Sequence, residues 1–381
     1  MKKICFVTAA RSEYTPLRWI MQDLANSKQC EFQLLVTGGH LMKNQGETIQ
    51  QIVKDGFVIS EIIDAEIDDA TQVTIAEAMG RLACMISQAF CRLSPDYVVV
   101  LGDRYELLPI CSTAFIMGIP IIHISGGDIT TGAIDDGVRN AVTMLAAYHF
   151  PGTEQAAENI ARMRNSKENI WVVGEPGLDA FNRLKLMTRR ELAEELKLDI
   201  HKKWVLMTYH AETKQSLIYN LAAVRNCLEA LEQIEECKDC QVIVTYANAD
   251  YGGKQINEAL EEKAVENGNM FKVLPALGQH RYLSCMRQVS FVIGNSSSGI
   301  IEAPFLGIPV INIGERQQGR YQCNNVVQCG TSKEEIVQGI RQGISEKKKK
   351  VVDDSKYWGD GHTSEKVTKI LLEKVMADGL F

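Results

Sequence analysis

Residues 96–106 read DYVVVLGDRYE, a short unbroken apolar run that ends in glycine, aspartate and arginine. A strand whose residues are nearly all apolar is covered on both faces, as in a parallel sheet with helices on either side. In open sheets of this kind, ligands bind beyond the carboxyl ends of the strands. We therefore interpret this segment as a buried strand that carries polar residues to a binding site.

The same alternation of apolar runs and amphipathic segments extends through the first half of the chain, which indicates strands that alternate with helices. The predicted strands are Lys3–Thr8, Phe32–Val36, Phe57–Ile63, Asp96–Leu101, Pro120–Ile124 and Ile170–Val173. The predicted helices are Thr15–Ala25, Glu47–Lys54, Thr74–Arg92, Leu107–Met117, Asp136–Tyr148 and Glu154–Met163.

The pattern restarts after a charged stretch, Lys185–His201, which we interpret as a linker with a first helix. The predicted strands are Trp204–Thr208, Gln241–Tyr246, Phe271–Leu274, Ser290–Ile293 and Pro309–Ile313. The predicted helices are Leu217–Glu235, Lys254–Asn267, Gln279–Arg287, Ser298–Leu306 and a final Ser364–Ala377. Two successive βαβ series predict an α/β protein with two Rossmann-like domains.

The bulk composition agrees with two soluble domains. The chain has 381 residues, more than the roughly 250–300 that one core accommodates. A net charge of -7 argues against a surface that binds nucleic acid as a whole. The apolar stretch Ile110–Ile124 falls short of the ~20 residues of a membrane span, and the apolar run after Lys3 is too short for a signal peptide. We expect a cytoplasmic protein without a membrane partner.

The cysteines indicate a reducing compartment. There are 11 of them, and most, such as Cys84, Cys91 and Cys111, stand in apolar runs, so we interpret them as buried thiols. Cys237 and Cys240 form one CxxC pair, but no second pair of ligands follows at zinc spacing. We therefore predict no metal site.

Polar residues follow the first strand and the strand quoted above. Arg11 comes after the first strand, where it could pair with a phosphate or a carboxylate or form an ion pair within its loop. Asp103 and Arg104 come where the apolar run ends and a helix begins. Asp103 is either a carboxylate whose pKa is shifted by its surroundings or a helix N-cap, and the sequence leaves both readings open.

A glycine-rich turn follows the next strand. Gly126-Gly127 permits a tight turn or a close approach of a ligand to the backbone, and Asp128 and Asp135 flank it. Arg139 lies about one helical turn beyond Asp135, where it can pair with that carboxylate or reach a ligand. Asp135 could also be a helix cap only.

In the second half, His210 follows a predicted strand, where it is either a functional residue or a structural histidine. Asn248 follows the next predicted strand, in a turn that could contact a nucleoside. Residues 293–302 read IGNSSSGIIE, a strand that leads through a serine-rich turn into a helix. Free N–H groups at a helix start bind phosphate oxygens, and the serine hydroxyls add donors. Glu302 lies one turn later, where its carboxylate could accept both ribose hydroxyls.

The following loop carries Arg316 and Arg320 near the same sheet edge, where both could contact an anionic ligand. Neither GxGxxG nor the P-loop pattern GxxxxGK[ST] occurs in the sequence. A nicotinamide enzyme and a P-loop kinase are therefore disfavoured.

Taken in order, these motifs resemble those of the hydrolysing UDP-N-acetylglucosamine 2-epimerases, enzymes of sialic and legionaminic acid biosynthesis. The matching pieces cover nearly the whole chain. They are the Arg11–Tyr14 loop, Gly102-Asp103-Arg104, His123-x-x-Gly-Gly-Asp128, Ala133-Ile134-Asp135-Asp136 with Arg139, Gly294-Asn295-Ser296-Ser297, and Arg316-Gln317-x-Gly-Arg320.

The resemblance implies a fold of the glycosyltransferase-B type with its active site in the interdomain cleft. The N-terminal domain would span residues 1–182 on the sugar side, with the C-terminal helix 363–381 packing back on it. The nucleotide-binding domain would span residues 183–362. The resemblance further implies a homodimer or homotetramer.

The resemblance also implies roles for particular residues. Asp103 and Asp135 would be the acid–base carboxylates, with Asp128 a third candidate, and His210 would be a further catalytic residue beside the diphosphate. The residues that would bind substrate or nucleotide are Arg11, Arg104, Arg139, Asn248, Ser296, Ser297, Glu302, Arg316 and Arg320. Two departures are Ser125, where some members carry glutamate, and Asn140, where many carry histidine.

The implied reaction converts UDP-N-acetylglucosamine and water to N-acetylmannosamine and UDP through a glycal, without a metal or redox cofactor. The same hydrolysing 2-epimerisation on UDP-2,4-diacetamido-2,4,6-trideoxyglucose or on a GDP-sugar is an alternative. A glycosyltransferase of the same fold and a non-hydrolysing epimerase are further alternatives.

Overall fold

The computed structural model describes residues 1–42, 48–67, 71–130, 135–248, 252–346 and 354–375. Three pieces of the sequence predictions lie outside these residues: Glu47 of a predicted helix, the motif pair Ala133-Ile134, and the end of the final helix from residue 376 onward. The chain divides into two compact units. The first comprises the described parts of Met1–Ile129, Asp135–Asn182 and Gly359–Phe381, and the second those of Thr130–Ile134 and Arg183–Trp358.

The first unit is built on a parallel sheet of six strands in the order β3-β2-β1-β4-β5-β6. The strands are β1 (Lys2–Thr8), β2 (Cys30–Thr37), β3 (Glu61–Ile63), β4 (Tyr97–Leu101), β5 (Ile121–Ile124) and β6 (Tyr148–Phe150). The helices are α1 (Arg11–Ala25), α2 (Ile49–Lys54), α3 (Gln72–Leu93), α4 (Leu107–Ile116), α5 (Asp135–Leu145), α6 (Glu154–Arg164), α7 (Asp179–Arg183) and α14 (Thr363–Ile370).

The second unit repeats this arrangement with the order β12-β11-β10-β7-β8-β9, again all parallel. The strands are β7 (Lys203–Thr208), β8 (Cys240–Thr245), β9 (Phe271–Leu274), β10 (Val292–Gly294), β11 (Val310–Ile313) and β12 (Val326–Cys329). The helices are α8 (Arg189–Leu196), α9 (Leu217–Gln233), α10 (Gly253–Glu266), α11 (Gly278–Gln288), α12 (Ser297–Phe305) and α13 (Lys333–Glu346).

Both sheets have the strand order of a Rossmann fold, so the predicted fold class is confirmed. The direction of the order reverses between β1 and β4 in the first unit and between β7 and β10 in the second. The loops that leave two such strands run to opposite faces of the sheet, which opens a crevice at their carboxyl ends. Ligand sites are therefore expected after β1 and β4, and after β7 and β10.

Burial on both faces explains why these strands read as unbroken apolar runs. In β1, Ile4 and Phe6 pack in one core cluster, while Cys5 and Val7 pack in the cluster on the other face. Because side chains alternate along a strand, both sets of positions must be apolar when both faces are covered. The second unit likewise has a separate core cluster on each side of its sheet.

The edge of the first sheet differs from the prediction. The helix predicted over Asp136–Tyr148 ends at Leu145, and Tyr148–Phe150 forms β6 beside β5. The strand predicted over Ile170–Val173 contributes only a single bridge, between Ile170 and His149. The helix ends because the backbone N–H of Ala147 already donates to the carbonyl of Ile121, at 2.9 Å, in the next strand.

In the second unit, β12 and α13 were not predicted. β12 is a four-residue edge strand whose burial is uneven, and it includes the exposed Gln328. Such a strand lacks both the continuous apolar run of a buried strand and a clear alternation. α13 is amphipathic and packs on β11 and β12, so it completes the layer of helices on that face.

The C-terminal segment returns to the first unit. The Asp179 carboxylate accepts the backbone N–H groups of Thr363 and Ser364, at 2.8 and 2.5 Å, and so caps the start of α14. Val367, Leu371 and Val375 then join the core cluster beneath α1. Leu371–Val375 continues the helix as a π-turn.

Two cysteines are not buried as predicted. Cys84 and Cys91 are exposed, whereas Cys111 is buried. The two exposed thiols lie two turns apart on α3, on the face opposite to Leu82 and Ile86. The helix is therefore amphipathic, although its sequence is largely apolar, and the prediction of buried thiols was wrong for this reason. No described helix is long and apolar enough to cross a membrane.

Candidate active site

The crevice of the first unit begins with a buried carboxyl group on α1. Glu13 stands in the first turn of this helix and is 2% exposed. Its Oε2 accepts the backbone N–H groups of Ala9 and Ala10, at 2.6 and 3.0 Å, and so binds the loop that leaves β1. Arg11, the first residue of α1, is exposed at the same end of the helix.

Arg104 and Glu106 form an ion pair beside this carboxyl group. Arg104 Nε and Nη2 donate to the two oxygens of Glu106, at 3.1 and 3.2 Å, in a bidentate arrangement. Burial lowers the pKa of Arg104, but the Glu106 carboxylate outweighs it and the pKa lies above its usual value. The guanidinium is therefore a fixed positive charge within the crevice.

Glu13 is held as a neutral acid near pH 7. Burial, followed by the charge of Glu106, raises its pKa to about 8 from an ordinary value of 4.5, although Arg104 and the two backbone N–H groups act in the opposite direction. Its Oε1 has no hydrogen-bond partner among the described residues. A group whose pKa is raised on folding makes the protein less stable as the pH rises through that range.

Replacing Glu13 by glutamine should therefore flatten the pH dependence of stability. Between about pH 4.5 and 8 the unfolded chain releases the Glu13 proton and the folded chain keeps it, so the free energy of unfolding falls by at most about 1.4 kcal/mol per pH unit. The Glu13→Gln protein lacks this slope and should gain stability relative to the wild type between pH 5.5 and 8.5. Urea unfolding at both pH values measures the difference.

The control for this measurement is Glu191→Gln. Glu191 is an exposed helix-capping residue whose backbone and side-chain hydrogen bonds with Thr188 lower its pKa, so its charge changes little between the two pH values of the measurement. Its substitution should shift stability equally at the two pH values. An equal shift for Glu13→Gln as well would contradict the assignment of a neutral Glu13.

Arg139 joins the ends of β4 and β5. Its side chain is 1% exposed, Nη2 donates to Asp103 Oδ2, and Nη1 donates to the carbonyl of Asp128 at 2.9 Å. A longer contact of 3.5 Å joins Nη1 to Asp136 Oδ1 within α5. Burial lowers the pKa of Arg139, but the carboxylates around it, Asp103 foremost, raise it overall. The structure thus brings together Asp103, Asp128 and Arg139.

His123 fixes the same two loops as a neutral group. Its Nε2 lies 2.9 Å from the carbonyl of Gly102, which can only accept, so Nε2 carries the proton. Its Nδ1 lies 3.2 Å from Thr143 Oγ1. Burial lowers the pKa of His123 to about 4. Asp135 begins α5, one turn before Arg139, so its carboxylate stands at the end of that helix nearest the turn.

His210 lies at the carboxyl end of β7 in the second unit. It is 8% exposed, and its Nδ1 accepts the backbone N–H of Asn248 at 3.0 Å. Because Nδ1 accepts, neutral His210 carries its proton on Nε2, which can then donate to an anion. The structure thereby brings together two residues that were predicted to contact a nucleotide.

Asn295 connects three loops of this crevice by hydrogen bonds. Its Oδ1 accepts the backbone N–H of His210 at 2.7 Å, and its Nδ2 donates to the carbonyl of the same residue at 2.9 Å. Its own carbonyl accepts from Arg316 Nη1 at 3.2 Å and from Gln317 Nε2 at 2.9 Å. Since Asn295 is 0% exposed, this network fixes His210 and Arg316 around the start of α12.

Hydroxyl groups line the start of α12. Ser296 is the N-cap, and its Oγ lies 3.4 Å from the N–H of Ser298 and 3.1 Å from the hydroxyl of Ser298. The Tyr282 hydroxyl lies 2.6 Å from Ser298 Oγ and 3.4 Å from Thr208 Oγ1. This end of the helix therefore offers backbone N–H groups and hydroxyls to a negatively charged ligand.

Glu302 and Arg320 complete the crevice of the second unit. Burial raises the pKa of Glu302 to about 7, and the charge of Arg320 opposes this shift. Arg320 Nη1 also donates to Gln317 Oε1 at 2.9 Å. Ser297, the first residue of α12, lies five positions before Glu302 on the same helix.

Several residues of the two crevices were not singled out from the sequence. Three of them, Glu13, Glu106 and Asn295, stand in quoted motifs that follow predicted strands. Their positions at strand ends could have identified them as candidate site residues. Tyr282 comes from α11 and stands in no such motif, so only the folded chain brings it to Ser298.

The sequence of this chain is similar to known proteins over most of its length. A sequence model of the family described as UDP-N-acetylglucosamine 2-epimerase matches residues 22–372. A Campylobacter jejuni protein named GDP/UDP-N,N'-diacetylbacillosamine 2-epimerase (hydrolyzing) is 33% identical over 327 residues, covering 86% of this chain and 84% of its own length. A Legionella pneumophila protein named UDP-N,N'-diacetylbacillosamine 2-epimerase (hydrolyzing) is 31% identical over 371 residues, covering 97% and 96%.

The fold also has solved counterparts. The crystal structure of a UDP-GlcNAc 2-epimerase from Neisseria meningitidis, bound to UDP-GlcNAc, matches with a TM-score of 0.80 and 18% identity. The match covers 98% of this chain and 100% of that one. At this identity the likeness bears on the fold, and it supports the predicted glycosyltransferase-B type.

Proposed function

Because the chain belongs to the UDP-N-acetylglucosamine 2-epimerase family, which confirms the resemblance drawn from its motifs, we propose that its substrate is UDP-N,N'-diacetylbacillosamine. The chain is an enzyme of the hydrolysing 2-epimerase type. The choice of sugar rests on the names of the two relatives above, which cover 86% and 97% of this chain at 33% and 31% identity. This sugar is the 2,4-diacetamido-2,4,6-trideoxyglucose that the sequence analysis gave as an alternative substrate. The names of the two relatives favour it over N-acetylglucosamine.

UDP-N-acetylglucosamine is the second candidate. It is the sugar nucleotide that gives the matching family its description, and the family match extends over residues 22–372. The two sugars share the 2-acetamido group and differ at C4 and C6. The chemistry at C1 and C2 is therefore the same for both.

In the proposed complex the second unit binds the nucleotide. The start of α12, with Ser296 and Ser297, would bind the diphosphate, and His210 would donate its Nε2 proton to a phosphate oxygen. Glu302 would accept the ribose hydroxyls, and Asn248 would lie near the nucleoside. Arg316 and Arg320 would supply positive charge. The network around Asn295 supports this proposal because it fixes these groups before any ligand arrives.

Replacing Ser296 by alanine should weaken UDP binding at least tenfold. The change removes one hydroxyl donor to a charged phosphate, worth about 1.5–3 kcal/mol, and a helix cap worth about 1 kcal/mol of stability. Isothermal titration with UDP measures the affinity. Ser216→Ala, which removes the N-cap of α9, is the control: it should cost similar stability and leave UDP affinity intact. Equal UDP affinities in the two variants would contradict the role of Ser296.

The first unit is proposed to act on the sugar. Asp103, oriented by Arg139, would remove the C2 proton while the C1–O bond breaks and UDP leaves, which gives a glycal. Water would then add to C1, and Asp135 or Asp128 would donate a proton to the other face of C2. The arginines of the two crevices would stabilise the negative charge of the departing UDP. Arg11 is a further candidate for this role.

Incubation with a panel of nucleotide sugars in heavy water tests the proposal. The panel contains UDP-N,N'-diacetylbacillosamine, UDP-N-acetylglucosamine and the GDP form of the first, and NMR follows the products. We expect the highest kcat/KM with the first compound, release of UDP, and a free manno sugar with deuterium at C2. Products that retain the nucleotide, or a sugar passed to an acceptor, would contradict hydrolysing epimerisation.

A further inference from the structure

A strained residue stands at the end of β5. Ser125 follows Ile124 directly, and its backbone has a φ of 56°, in the left-handed region that residues with a Cβ rarely adopt. Gly126 and Gly127 come next and would adopt such a conformation at lower cost. Strained backbone of this kind persists where the surroundings hold it, and it is frequent at functional sites.

The Ser125 hydroxyl is bound by a carboxyl group from a distant segment. Ser125 Oγ donates to Glu175 Oε2 at 2.8 Å, across 50 positions of sequence. Glu175 is 8% exposed and stands on the loop that follows Gly174. A Cβ added at Gly152 would lie 1.9 Å from Glu175 Oε1, so the carboxyl group occupies space that only glycine leaves.

This pair lies at the sheet edge that carries the proposed acid–base groups. The backbone N–H of Gly102, next to Asp103, donates to the carbonyl of Ile124 at 3.1 Å. On the other side, the N–H of Ser125 donates to the carbonyl of Phe150 at 3.0 Å. The chain then continues to Asp128, whose carbonyl is bound by Arg139. Ser125 therefore lies across the sheet from Gly102, the residue before Asp103, and three positions before Asp128 along the chain.

We propose, on the basis of the proposed function, that Ser125 and Glu175 form a hydroxyl–carboxyl pair in which Ser125 binds the sugar and Glu175 is a positioning residue. A serine hydroxyl has one proton and two lone pairs. Because the proton is donated to Glu175, Ser125 Oγ presents lone pairs. It thus accepts a hydrogen bond from an N–H or O–H group of the sugar, a class that includes the acetamido N–H.

Substitution at Ser125 separates this role from a structural one. Ser125→Gly removes the hydroxyl and its bond to Glu175 but also relieves the strain at φ 56°, and because these two effects oppose each other the Tm should stay near that of the wild type. We expect the KM for the nucleotide sugar to rise at least tenfold while the Kd for UDP stays unchanged, because the contact is with the sugar. A role in loop structure alone would instead lower the Tm together with the activity.

Two further variants address Glu175. Glu175→Gln and Gly152→Ala should each raise KM in the same direction, the second because the added Cβ displaces the carboxyl group from Ser125. Adding Glu175→Gln to Ser125→Gly should change KM by less than twofold, since the two residues act as one unit. Thr188→Ala and Glu191→Gln, which break an exposed hydroxyl–carboxylate pair at the start of α8, are matched controls with wild-type KM.

The outcomes separate the inference from the proposed function. A wild-type KM in Ser125→Gly and in Glu175→Gln, with an active wild-type enzyme, overturns the inference alone. A lower Tm of Ser125→Gly with KM and UDP affinity both weakened overturns it in favour of a loop-structure role. Absence of turnover by the wild type with every nucleotide sugar of the panel overturns the proposed function and this inference with it.

Discussion

Asp103→Asn should lower kcat by about a thousandfold, within the range that general acid–base groups contribute. Asparagine keeps the size of the side chain and can still accept from Arg139, but it cannot take a proton from the sugar C2. The nucleotide contacts proposed for the second unit are untouched. UDP affinity should therefore change little, and loss of deuterium incorporation at C2 should accompany the loss of turnover.

The matched control is Asp96→Asn, at the opposite end of the same segment. Asp96 precedes β4, accepts the backbone N–H of Lys3 at 2.7 Å and pairs with Lys2 at 3.3 Å. It lies at the amino edge of the sheet, away from the loops that follow the strands. Asp96→Asn should have the kcat of the wild type. If the kcat of Asp103→Asn is also within tenfold of the wild type, Asp103 is not a catalytic residue.

The fold was predictable because both faces of each sheet are covered. That burial forces continuous apolar runs such as Val98–Val100, and the runs identify strands without reference to the partners they pair with. The prediction failed at β6, where a three-residue strand directly follows α5. Tyr148 continues the helical spacing of apolar residues and was therefore assigned to the helix, whereas pairing with β5 makes it the first residue of a strand.

The candidate site was predictable only where its parts are contiguous. Asp103 and Ser296 follow strands directly, so the rule that ligands bind at carboxyl ends located them. The contacts of His210 with Asn295 span 85 positions. No sequence pattern indicates that the Asn295 side chain accepts the backbone N–H of such a distant residue. Arg104 and Glu106 are only two positions apart, but their ion pair depends on the conformation of the loop, which the motif does not specify.

Arg139→Met should be strongly destabilising, with a loss of about 3 kcal/mol in the free energy of unfolding. The side chain is 1% exposed and bridges the Asp103 carboxylate and the Asp128 carbonyl. Methionine preserves most of the volume but leaves both acceptors without this donor. Urea unfolding measures the loss, and Arg190→Met, which breaks an exposed pair with Glu194, should cost at most about 1 kcal/mol.

The origin of this loss can be tested by combining the two substitutions of the Asp103–Arg139 pair. If the cost comes from a carboxylate left without its counter-charge, then Asp103→Asn in the Arg139→Met background should restore about 1–2 kcal/mol, because the neutral amide is cheaper to bury than the ion. The recovered protein should remain inactive, since it lacks the proposed base. Additive losses would instead assign the cost of Arg139→Met to packing within α5 and to the Asp128 carbonyl.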